Sequence, residues 1–104
     1  MRRFDMRLPA CVLVVEDGSG ELHTETQNIS AEGLFFYLDR EIAVGTQIEI
    51  VLTLPPQVTL TDSVRVRFRG RTVRVEQSWP LSRAGVAVAI ETHEFLRSAV
   101  TLPA

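Results

Sequence analysis

The stretch VRVRFRGRTVRVE, Val64 to Glu76, is the strongest constraint on what this chain can fold into. Its apolar residues recur at every second position, the pattern of a β-strand with one face buried. Val64, Val66 and Phe68 share one phase, whereas Val73 and Val75 sit on the other, so the phase slips by one residue across Gly70. A β-bulge inserts one extra residue and bends the strand, which predicts a single long strand bent at Gly70 and turning a barrel corner.

The same period runs through the rest of the chain. Leu8 to Val15 is apolar on both phases and predicts a buried strand, with Cys11 packed inside it. DGSG, from Asp17 to Gly20, is a turn signal, and the more polar Glu21–Ile29 completes a hairpin. Gly33 opens a third strand with Leu34, Phe36 and Leu38 on one face. Ile48, Ile50, Leu52 and Leu54 mark a fourth, closed by Pro55-Pro56. After a loop through Ser78-Trp79-Pro80, GVAVAI forms the last strand. Thr92 is then expected to N-cap a short helix over residues 92–99 that folds Phe95 and Leu96 onto the barrel. These elements contain no βαβ alternation. They predict an all-β single domain over residues 1–104: a small six-stranded antiparallel β-barrel, residues 8–90, with a short C-terminal helix.

Charge is distributed unevenly. The 104-residue chain carries a formal net charge of −2, yet three arginines fall in its first seven residues, MRRFDMR. All eleven basic residues are arginine, so any anion site must use planar, bidentate guanidinium groups. Net acidity argues against bulk coating of nucleic acid without excluding a local basic site.

Arg3 and Arg7 have RxxxR spacing with Arg2 directly before them, and NISAEG, from Asn28 to Gly33, joins the second strand to the third. Taken alone, the first is compatible with a solvated tail and the second with an ordinary turn whose side chains cap backbone amides. Together, RxxxR entering the first strand, [D/N]xSxxG after the second, a barrel strand bent at glycine and a GV-alternating last strand resemble the PilZ domain family of bacterial cyclic di-GMP receptors. The resemblance covers Arg2 to about Ile90. It implies that Arg3 and Arg7 grip phosphates and guanine faces of cyclic di-GMP. Asn28 and Ser30 would bond a guanine edge or nearby ligand atoms, and Gly33 would permit close approach. Arg2 would support a stacked ligand pair. Asn28 replaces the commoner Asp, and Ala87 stands where a glycine is often found. A dianion with two purine faces suits guanidinium chemistry. The arm, residues 1–8, is expected to be flexible until ligand neutralises its mutually repelling arginines.

Other readings are weaker. Arg65, Arg67 and Arg69 share a strand face, and surface statistics favour a solvated face paired with carboxylates over a nucleic-acid groove. A groove needs interleaved exposed aromatics, and Phe68 shares the core phase while Trp79 is in a loop. His23 and His93 lack metal-ligand spacing, and no elbow motif surrounds Ser30, so neither a metal site nor an enzyme is expected. No cofactor is expected beyond the ligand cyclic di-GMP. A single cysteine suits a reducing compartment. The apolar run near the start is interrupted by Pro9, stops at Glu16-Asp17 and is too short to span a bilayer, so a cytoplasmic protein is expected. Expected partners are cyclic di-GMP and an unidentified downstream protein, without DNA, RNA or membrane, in a monomer or ligand-linked dimer. The alternatives are a PilZ-like protein-interaction module that binds no nucleotide and a small nucleic-acid-binding barrel.

Overall fold

A computed structural model of the chain describes residues 3–16, 20–78 and 83–96. In chain order these form β1 (Arg3–Phe4), β2 (Pro9–Val14), β3 (Glu21–Ser30), β4 (Gly33–Leu38), β5 (Gln47–Leu54), a one-turn helix α1 (Pro56–Thr59), β6 (Val64–Ser78) and β7 (Arg83–Leu96). The sheet runs β1-β3-β2-β5-β6-β7-β4, and β4 pairs back onto β3. All pairings are antiparallel, so β2 to β7 close a six-stranded barrel and β1 adds a further short strand on β3. Closure removes the edge where β4 joins β3 to β7, whereas β7 beyond Ile90 is paired on one side only, with β6.

Alternation fills the interior as the pattern predicts. Val12 and Val14 of β2, Leu34, Phe36 and Leu38 of β4, and Ile48, Ile50 and Leu52 of β5 are buried. Val66 and Phe68 of β6 meet Val86 and Val88 of β7 in the same core. Each such side chain contributes about 1.5–3 kcal/mol by leaving water. β2 and β3 pair as the hairpin that DGSG predicts, with Cys11 opposite His23. Residues 17–19 and 79–82, which hold most of that turn and the Trp79 loop, lie outside the described residues.

Three expectations are corrected. First, Thr92–Leu96 is not helical. β7 runs on to Leu96 because the first half of β6 offers it an edge, with Arg69 opposite Thr92 and Arg65 opposite Leu96. The Thr92 backbone therefore joins a ladder instead of capping a helix. The remainder of that expected helix, 97–99, lies outside the described residues.

Second, the phase slip falls at Val73. Thr72 keeps the inward phase of Val66 and Phe68 and is 1% exposed, while Val73 is 56% exposed. Pairing with β7 skips Val73, since Thr72 faces Val88 and Arg74 faces Ala87. Thr72 can be buried because its hydroxyl donates to Ala43 O at 2.6 Å and accepts from Thr46 N at 3.0 Å. At Gly70 the extra residue is Glu91, on the partner strand. Gly70 is needed there because a Cβ would lie 2.0 Å from Ala89 O. Third, Cys11 faces outward and is half-buried.

Candidate functional site

A second irregularity builds the site. On β3, Leu22, Thr24 and Thr26 share the inner phase, which would carry Asn28 inward as well. Pairing with β4 skips Gln27: Thr26 faces Phe36 and Asn28 faces Phe35. This bulge reverses the phase. Ile29 enters the core at 3% exposure, and Asn28 and Ser30 turn to the outer surface, half-buried.

The turn that follows is tied at both sides. Ser30 Oγ accepts from the amides of Glu32 and Gly33 at 3.2 and 3.3 Å, and Ile90 N donates to Glu32 O at 2.8 Å. Both side-chain bonds use the Ser30 oxygen as acceptor, which leaves its proton for another partner. Gly33 is required by β7: a Cβ there would meet Val88 O at 2.6 Å. The close approach allowed by this motif glycine is therefore a strand-to-strand contact.

The arginine-rich arm reaches this turn through β1, where Arg3 pairs with Ser30 and Phe4 with Ile29. A second tie lies around Arg7. The hydroxyl of Thr26, fully buried, donates to Met6 O at 2.7 Å and accepts from Leu8 N at 3.0 Å, while Thr26 N donates to Leu8 O at 2.9 Å. The backbone on both sides of Arg7 is thus held while its side chain is exposed. Among the described residues, neither Arg3 nor Arg7 makes an ion pair.

Beside the turn is a cleft of ≈ 530 Å³ whose walls include Arg3, Asn28, Ser30, Gly33, Phe35 and Tyr37. Phe35 and Tyr37 occupy the outer phase of β4 and meet edge to face at 5.3 Å between ring centres. Arg83 lies 4.5 Å over the Tyr37 ring, and Thr24 Oγ1 donates to Tyr37 O at 2.5 Å. Arg74, ion-paired with Glu76 at 3.1 Å, lines the opposite wall. The cleft therefore combines a free guanidinium, an amide, a hydroxyl proton and aromatic surface. Four of the six expected site residues meet here. Arg7 is not part of the wall, and Arg2 lies outside the described residues. Phe35, Tyr37 and Thr26 were missed by motif reasoning, although the outer phase of GLFFYLD would have found the two aromatics.

The arginine row of β6 has a different character. Arg67 pairs with Glu94 at 2.9 Å and Glu49 at 3.7 Å, Arg69 with Glu49 at 3.1 Å, and Arg71 with Glu91 at 3.3 Å. This is the carboxylate-paired solvated face described above. Potential metal ligands gather elsewhere: Cys11, Glu21 and His23, none of which lines the cleft. Among the described residues, no helix is long and apolar enough to cross a membrane.

A family model described as the PilZ domain matches residues 1–98. No curated protein matches the sequence. Among solved structures, the chain is similar to the Bacillus subtilis inhibitor of motility, MotI/DgrA, with a TM-score of 0.69 and 17% identity. The match covers 86% of this chain and 41% of that one, so at this identity the likeness is one of fold over less than half of the neighbour's length.

Proposed function

This chain belongs to the PilZ domain family, and on that premise we propose that it is a cyclic di-GMP receptor and adaptor in bacterial second-messenger signalling. The observation that carries the proposal is the register of β1 on β3, which sets Arg3 beside Ser30 at a cleft that also includes Asn28 and Gly33. An unpaired guanidinium suits a phosphate dianion bidentately and can stack on a purine. Asn28 both donates and accepts, as a guanine edge requires. The Ser30 hydroxyl donates its spare proton, and Phe35 and Tyr37 offer a face for a base. Arg7 supplies the second guanidinium from a backbone position held by Thr26, and Arg2 supports a second, stacked ligand. The protein has no catalytic role in this reading. It acts in the cytoplasm and passes the signal to a partner protein, as a monomer or a ligand-linked dimer.

One observation favours a protein-interaction module that dispenses with nucleotide. At one end of the barrel is a largely apolar opening of ≈ 500 Å³ whose walls include Phe4, Val58, Phe68 and Phe95. Calorimetry with cyclic di-GMP separates the two. Saturable binding, with GMP and cyclic AMP competing poorly and stoichiometry approaching two ligands per chain, supports the receptor. Arg2→Leu should then lower the stoichiometry towards one. An absence of heat at high micromolar protein selects the interaction module.

A further inference from the structure

We propose that Cys11, His23 and Glu21 form a binding site for a divalent transition-metal ion of intermediate softness, Zn²⁺ above all, on the outer wall of the β2–β3 hairpin. The hairpin register places Cys11 directly opposite His23 and Leu13 opposite Glu21, so Glu21 lies two residues from His23 on the same face of β3. The potential ligand atoms of all three lie within 4.8 Å of one another. Cys11 Sγ and His23 Nδ1 are 3.5 Å apart. Bonds of about 2.3 Å to sulfur and about 2.0–2.1 Å to nitrogen, at a tetrahedral angle, put those two atoms about 3.5 Å apart, so the pair already has the spacing of one tetrahedral edge.

The donor set narrows the ion. A thiolate and an imidazole together select Zn²⁺ over Mg²⁺ or Ca²⁺, which take oxygen ligands, and the Glu21 carboxylate completes a three-ligand site. Binding releases the Cys11 thiol proton to solvent, and the fourth position is left to water or an added group. Cys11 and His23 stand on paired strands, so their spacing is held by the ladder and not by a loop. Competition from cations is limited: Arg67 and Arg69 are engaged with Glu49. Arg65 borders the adjacent hollow of ≈ 300 Å³ from β6, two strands beyond Cys11. Neither histidine spacing nor cysteine count carries this signal, because the three residues converge only across the hairpin.

The test is titration of the full chain with Co²⁺ as a visible probe, followed by Zn²⁺. The expected result is one equivalent bound, with tetrahedral d–d bands and a thiolate-to-cobalt charge-transfer band, both bleached by Zn²⁺. Cys11→Ser should lose the charge-transfer band, and His23→Ala and Glu21→Gln should each weaken Co²⁺ binding, whereas His93→Ala and Arg3→Ala should leave both spectrum and affinity unchanged. Independently of any variant's folding, Zn²⁺ should protect Cys11 of the wild-type chain from alkylation. An unaltered cobalt spectrum in Cys11→Ser, or alkylation at the same rate with and without Zn²⁺, overturns the proposal.

Discussion

Replacing Thr26 by Val isolates the contribution of one hydroxyl to the arm. The two side chains have nearly the same shape, so the core contact is kept while two hydrogen bonds are lost. One runs to Met6 O at 2.7 Å and the other from Leu8 N at 3.0 Å. Leaving a fully buried donor or acceptor unpaired costs about 1–3 kcal/mol. Met6 and Leu8 are only half-buried, so water can reach them after a small opening and the combined loss stays within about 1–3 kcal/mol. At about 4–8 °C per kcal/mol for a small domain, the melting midpoint should fall by about 4–24 °C. The bond from Thr26 N to Leu8 O survives, so the arm should loosen without leaving. Exchange at the Leu8 amide should therefore rise about tenfold for each 1.4 kcal/mol of local loss. Cyclic di-GMP affinity should fall as well, because Arg7 must be ordered again on binding. Thr26→Ser keeps the hydroxyl and should retain slow Leu8 exchange despite its missing methyl. Wild-type melting and unchanged Leu8 exchange in Thr26→Val would refute the latch.

Arg3→Ala and Arg7→Ala should each weaken cyclic di-GMP binding by one to two decades, from about 1.5–3 kcal/mol per charged hydrogen bond, with melting unchanged because both side chains are exposed. A large melting loss in Arg7→Ala would instead make it a structural residue. Gly70→Val should destabilise the barrel by about 3 kcal/mol or more in chemical denaturation, since its Cβ would meet Ala89 O at 2.0 Å and Val88 Cγ1 at 3.1 Å. Arg69→Ala, which removes a surface ion pair with Glu49, should cost under about 1 kcal/mol. Tyr37→Ala should lower ligand affinity with little effect on the core, as the ring lies on the outer phase of β4, and equal affinity would exclude base stacking there.

Binding should also change the arm itself. Amide exchange over residues 2–7, short of the Leu8 amide that the Thr26 hydroxyl already protects, should slow when cyclic di-GMP is added, as the ligand neutralises the arginine cluster. Unchanged exchange there, beside clear binding elsewhere, would remove the arm from the clamp.

Much of this protein follows from period two alone. The alternation of Leu34, Phe36 and Leu38, and of Ile48, Ile50 and Leu52, decides which side chains are buried, because successive strand residues point to opposite faces. RxxxR and NISAEG were likewise legible as local strings. What the string does not encode is the partner of each strand. Thr92–Leu96 has capping chemistry that suits a helix, yet the exposed edge of Arg65–Arg69 makes it a strand. The slip at Val73 depends on loop atoms of Ala43 and Thr46 that satisfy the buried Thr72 hydroxyl. The bulge at Gln27 turns Asn28 outward, and Thr26 holds Met6 and Leu8 across eighteen residues or more of chain. Cys11 and His23 became neighbours only through the hairpin register. Local periodicity thus sets which face of a strand is wet, whereas register, closure and the convergence of side chains from different strands are properties of non-local pairing, which exists only once the barrel has formed.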